Sequence, residues 1–171
     1  MAVSRIQSES INLTPSTNTF VPFFSSAGAT NPFVDDIFTS ASYTTQYGRY
    51  VRLDNIIHAY VRIQTVASPT FQNGGAVSQG ISVTMPFNKR DDSEYYPMTT
   101  PVYFDVNANN GWTSFGIAGF INNAAGTRKA CRLLYSGGTG LNVDTPFLTN
   151  QVANGYATDI YFNITYETDD A

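Results

Sequence analysis

From Asn55 to Thr65 the chain alternates strictly, with Ile57, Ala59, Val61 and Ile63 falling on one side and His58, Tyr60, Arg62 and Gln64 on the other. A period of two is the spacing of a strand with one face buried and one face wet. The pattern returns where Ile81, Val83 and Met85 alternate with Ser82 and Thr84, and where Val102, Phe104 and Val106 alternate with Tyr103 and Asp105. It returns again near the end, where Ile160, Phe162, Ile164 and Tyr166 alternate with Tyr161, Asn163, Thr165 and Glu167. Less regular strands are predicted over 19–24, 42–53, 113–121 and 129–135, which makes at least eight strands.

The breaks between these runs carry turn chemistry. Asp54-Asn55, Asn73-Gly74-Gly75, Asn109-Asn110-Gly111, Gly137-Gly138 and Asn154-Gly155 all offer residues that accept positive φ at little cost. Asp54-Asn55, a pair flanked by strand patterns, predicts a two-residue type I′ hairpin. No long window carries a helical stripe, and 32–38 is expected to make one short turn at most. Many strands without crossover helices predict an all-β fold, an antiparallel β-sandwich of jelly-roll-like form.

The opening differs in character. Residues 1–40 are rich in Ser, Thr, Asn and Pro, with isolated apolar anchors at Ile6, Ile11, Leu13, Phe20 and Phe23. They are read as an extended N-terminal arm that includes the first strand, and 41–171 as the sandwich body. The competing reading is a frayed tail as far as about Pro15, since termini are commonly loose.

Composition narrows the function. At 171 residues with 42% apolar and 13% charged side chains, the chain resembles an ordinary single domain that buries roughly 70% of its unfolded surface. A net charge of −4, with Lys89 and Lys129 the only lysines, supplies no basic field for a polyphosphate backbone, so no nucleic-acid partner is expected. Met1 to Gln7 lacks the basic start and apolar run of an export signal, and no apolar run is long enough for a membrane helix. The expectation is synthesis in a cytoplasm without membrane insertion.

Little is available for chemistry. Cys131 is the sole cysteine, read as a small buried thiol in a strand. His58 is the sole histidine, and no serine sits in a nucleophile-elbow setting beside it. One histidine and one cysteine cannot assemble the usual zinc ligand sets, so no metal site and no cofactor are expected. The acidic pairs Asp35-Asp36 and Asp169-Asp170, and the cluster Asp91, Asp92 and Glu94, lack calcium-loop spacing and read as solvated turns. Asp105, Asp144 and Asp159 are candidates for paired-carboxylate glycoside hydrolysis. The leading expectation is that the protein is not an enzyme.

Tyrosine points elsewhere. Eleven tyrosines and twelve phenylalanines exceed what one core of this size requires, and Tyr60, Tyr103 and Tyr161 sit opposite the aliphatic face. Such rings give large contact area with few rotors to freeze, and they stack on sugars. Tyr60, Tyr103, Tyr161, His58 and Arg62 are therefore candidate binding residues, for self-association or for a glycan. Tyr95 and Tyr96, in the predicted loop 89–97, are candidates for the same role.

One stretch resembles a known family. Tyr43-Thr44-Thr45-Gln46-Tyr47-Gly48-Arg49-Tyr50-Val51-Arg52-Leu53-Asp54-Asn55-Ile56-Ile57, running on to Val61-Arg62-Ile63, is similar to a Gln-x-Gly-x-Tyr strand followed by a tight turn and a β-branched strand in phage tail-fibre and related virion domains. Ile81-Ser82-Val83-Thr84-Met85-Pro86-Phe87 resembles their following strand, and Tyr161-Phe162-Asn163-Ile164-Thr165-Tyr166 their final one. The resemblance implies a jelly-roll-like domain of a bacteriophage virion protein. It would be a surface-exposed homotrimer of tail-fibre or receptor-binding type, docking onto other virion proteins through its N-terminal arm and contacting host cell-surface polysaccharide. Alternatives are a capsid decoration protein that cements the head shell and a carbohydrate-active β-sandwich enzyme.

Overall fold

The computed structural model describes residues 16–26, 35–72, 80–90, 99–106, 112–120, 130–135, 145–146 and 157–170. The described residues form ten strands: β1 (Ser16–Phe20), β2 (Phe24–Ser26), β3 (Tyr43–Leu53), β4 (Ile56–Thr65), β5 (Ile81–Thr84), β6 (Thr99–Val106), β7 (Trp112–Phe120), β8 (Ala130–Tyr135), β9 (Thr145–Pro146) and β10 (Thr158–Glu167). Among the described residues the only helical element is a single 3₁₀ turn at Ser40–Ser42. No helix there is long and apolar enough to cross a membrane. The chain is all-β, and every strand pairing is antiparallel.

Nine of the strands form one path in the order β1-β3-β4-β10-β6-β7-β8-β5-β2, and β9 pairs with β8. Strands β6, β7 and β8 meander, and β10 returns to lie beside β6, which is Greek-key connectivity. The two ends of the path are consecutive in sequence. A flat sheet of nine strands would separate β1 from β2 by about 38 Å, whereas the four Cα steps from Phe20 to Phe24 span at most about 14 Å. The sheet must therefore curl until its edges approach. Side chains bridge them: Gln46 Nε2 of β3 donates to the Pro22 carbonyl at 3.0 Å, and the Phe24 amide donates to the Tyr43 hydroxyl at 3.2 Å.

The core lies inside this curl. Ile57, Ala59, Val61 and Ile63 of β4 and Ile160, Phe162, Ile164 and Tyr166 of β10 join Phe24, Ile81, Val83, Met85, Cys131 and Leu133 in one buried cluster. Ile37 and Phe38 belong to it too. Of the expected short turn over 32–38, residues 32–34 lie outside the described residues, and the rest is clipped to its neighbours: the Ile37 amide donates to the Phe24 carbonyl, the Gln72 amide donates to the Ile37 carbonyl, and Phe38 bridges to Phe71. Residues 16–26 and 35–40, read from sequence as part of an arm, thus supply two strands and three core side chains. Residues 1–15 lie outside the described residues.

Strand β3 reads as irregular in sequence for a physical reason. Tyr43 pairs with Thr65 but Thr45 pairs with Gln64, so Thr44 is a bulge residue. The inserted residue turns Tyr43 inward, against Phe24 and Phe38, while Gly48 and Tyr50 remain on the core side further along. Phe20 of β1 lies over Gly48, the residue directly opposite it, and a Cβ there would fall 2.4 Å from the ring. The hairpin between β3 and β4 has its two-residue turn at Asp54-Asn55, as predicted, but only Asp54 has positive φ, at 55°. Type I′ demands positive φ at both positions, so the turn departs from that type.

Candidate functional site

The outward face of β3, β4 and β10 is built by register alone. A two-residue turn pairs Leu53 with Ile56, and the pairing then places Val51 opposite His58, Arg49 opposite Tyr60 and Tyr47 opposite Arg62. On the other side of β4, Thr165 pairs with His58, Asn163 with Tyr60, Tyr161 with Arg62 and Asp159 with Gln64. Paired residues share a face, so these side chains form rows across three strands. The opposite face of β4 and β10 is the core, which makes the platform rigid.

Three candidates from the alternation, His58, Tyr60 and Arg62, share this face, and Tyr161 joins them through β10. Tyr103 on β6 pairs through the backbone with Tyr161. Tyr95 and Tyr96 lie outside the described residues, as do Asp91, Asp92, Glu94 and Asp144. Two neighbours were missed. Tyr47, which is 43% exposed, and the exposed Arg49 stand in the same rows. The alternation of β3 is faint because Gln46, Gly48 and Arg52 stand opposite the core residues of β4, but folding the sequence back at Asp54-Asn55 would have placed both.

Aromatic and charged groups interleave on this face. The Tyr47 and Tyr60 rings lie 6.0 Å apart between centroids, tilted by 60°. Tyr161 is 38% exposed. Arg62 donates from Nε to Asp159 Oδ1 at 3.1 Å and from Nη2 to Oδ2 at 2.6 Å, a two-pronged ion pair that engages both carboxylate oxygens. Those bonds, and the Asp159 charge, hold the Arg62 guanidinium still more firmly protonated than usual. His58 Nδ1 and Thr165 Oγ1 are 2.8 Å apart.

Asp105 and Asp159 are direct backbone partners, but both Asp159 oxygens are engaged by Arg62. No three His, Cys, Asp or Glu side chains gather as metal ligands among the described residues. Cys131 is fully buried, and desolvation pushes its thiol well above the ordinary range.

Two acidic pairs read as solvated turns have structural roles instead. Asp36 Oδ1 accepts from the Tyr43 hydroxyl at 2.5 Å and from the Phe38 amide at 3.0 Å. Burial raises the Asp36 carboxyl above its usual range, more than these two bonds lower it. Asp170 accepts from the Asn88 amide and side chain, while its carbonyl accepts from Arg52. Arg90 pairs with Glu167 at 2.9 Å and more distantly with Asp169. These contacts tie the end of β10 to the segment after β5.

No protein-family model, no curated protein and no solved structure matches the chain.

Proposed function

We propose that this protein is a non-enzymatic structural protein of a bacteriophage virion, a surface-exposed β domain of tail-fibre or receptor-binding type that works as a homotrimer. In this reading the curled sheet is a jelly-roll-like sandwich. The observation that carries the binding role is the outward face of β3, β4 and β10, where Tyr47, Tyr60 and Tyr161 surround an ion pair on strands anchored by the core. Large rings held in solvent on a rigid support favour recognition over catalysis. The virion setting rests on the likeness of residues 43–63, 81–87 and 161–166 to tail-fibre domains. In this reading docking falls to the part of the 1–40 arm other than Phe24, Ile37 and Phe38, which belong to the core.

Light scattering of the purified chain at micromolar concentration tests the assembly, with a trimer expected; a monomer overturns that part. Copy number per virion tests the placement. A few tens of copies are expected of a fibre component, and hundreds would transfer the protein to the capsid shell as a decoration protein.

A further inference from the structure

Among the described residues of the outward face, one strong cation stands outside the ion pairs. Asp159 neutralises Arg62, and Arg90 neutralises Glu167. Arg49 has no acidic partner among the described residues. The chain as a whole is acidic, at −4, so an unmatched guanidinium beside Tyr47 and Tyr60 is contrary to the protein's overall field.

We propose that Arg49, Tyr47 and Tyr60 form a subsite for an acidic sugar, with the Arg49 guanidinium receiving the carboxylate of a uronate-type residue; this rests on reading the face as a receptor-binding surface. Tyr60 stands directly across from Arg49, and Tyr47 lies two residues before it on the same face. Cβ atoms of directly opposed residues are about 5 Å apart, so a pyranose laid on the Tyr60 ring brings an exocyclic carboxylate within reach of the arginine fork. Guanidinium and carboxylate match in a planar, two-pronged geometry, and the tyrosine supplies the stacking surface. Asn163 beside Tyr60 and Thr19 beside Arg49 complete the row with groups suited to sugar hydroxyls. Arg62 does not compete for the anion, because Asp159 already holds its fork. Its part is to position the neighbouring rings.

The test measures binding of the full-length protein to immobilised polygalacturonate, to its methyl ester and to dextran by interferometry. The wild type should prefer the acid over the ester by tenfold or more, and the preference should shrink as salt screens the charge. Arg49→Gln should abolish that preference while leaving the unfolding curve unchanged, and Arg49→Lys should retain part of it. Tyr60→Ala should weaken binding to acid and ester alike. Equal binding of acid and ester, or a full acid preference in Arg49→Gln, overturns the proposal. A trimer that binds none of the three overturns this subsite but leaves the virion role standing. A monomer that binds the acid through Arg49 does the reverse.

Discussion

Strands β4 and β10 on one side of the molecule, and β5 with its partner β2 on the other, meet different surroundings although β4, β10 and β5 show the same alternation in sequence. In β4 and β10 every second residue is buried and the intervening ones reach toward solvent. In β5 and β2 all positions are buried, including Ser82, Thr84 and Ser25. The difference lies in which polar residues alternate. His58, Tyr60, Arg62, Tyr161 and Asn163 are too large or too strongly hydrated to be enclosed cheaply, whereas a serine or threonine hydroxyl can be enclosed when backbone groups serve it. Thr84 does this: its hydroxyl accepts from the Phe23 amide and donates to the Phe23 carbonyl. Period two reports a strand, and the size of its polar members reports whether that side is wet.

A carboxylate placed on each side gives the harshest test of this contrast. Ser25 is fully buried, and its hydroxyl has no hydrogen-bond partner among the described residues. Ser25→Asp should lose about 3–5 kcal/mol in urea denaturation, the penalty of an uncompensated buried charge. Asn163→Asp on the outward face should change stability by about 0.5 kcal/mol or less. Ser25→Ala sharpens the point in the other direction. It removes an unserved polar group and should be neutral or stabilising by about 1 kcal/mol. Equal losses for the two aspartates would mean that the β5 and β2 side is wetter than described.

The next effect concerns the seam where the two sides meet. Gly48 lets the Phe20 ring of edge strand β1 close over β3, and Gly48→Ala should displace that ring at a loss of about 1–3 kcal/mol. The ring belongs to an edge strand, so the same substitution in a Phe20→Ala background should lose much less. A double-mutant cycle reads the coupling, and additivity would show that Phe20 does not depend on Gly48.

The seam is also where sequence reading stops. The strands were legible because β4, β10 and β5 keep a strict period, and the outward residues of β4 followed directly. The curl was not legible, because pairing between β2 and β5 joins residues far apart in the chain through three short contacts. Neither was the role of Phe24, Ile37 and Phe38, since isolated apolar residues in a Ser/Thr-rich opening have no period to declare a buried face. Tyr47 and Arg49 were hidden because Gln46, Gly48 and Arg52, and not an aliphatic series, occupy the core-side positions of β3. The ion pair of Arg62 needed the register of β10, which no local pattern contains.

Asp36 and Tyr43 clamp the same seam, and their prediction is a pH dependence. The carboxyl is raised above its ordinary 3.8 in the folded chain, chiefly by burial. Folding therefore favours the protonated form. The stabilisation this group contributes is complete below the unfolded value and is lost as pH rises through the higher folded one. Asp36→Asn cannot ionise, so its stability should gain on the wild type as pH rises through that window, which urea denaturation across a pH series would register. Tyr43→Phe withdraws the hydroxyl that serves both Asp36 and the Phe24 amide. It should lose about 1–2 kcal/mol and move the pH-dependent loss upward, since the tyrosine bond lowers the Asp36 value. An identical pH profile in the wild type and Asp36→Asn would remove Asp36 from the account.

The smallest expected effect returns to the wet side. Arg62 and Asp159 form a well-aligned pair, but the arginine side chain is 43% exposed and the aspartate 17%. Water and salt screen such a pair, and exposed ion pairs contribute about 0.2–1 kcal/mol. Arg62→Gln and Asp159→Asn should each lose no more than that, and the difference should fade at high salt. Binding separates the structural role from a ligand role. If Arg62 only positions Tyr60 and Tyr161, Arg62→Gln lowers affinity for acid and methyl-ester polysaccharide by the same factor, whereas Arg49→Gln erases the preference between them. A selective loss of acid binding in Arg62→Gln would make Arg62, with Asp159 displaced from its fork, the anion receptor in place of Arg49.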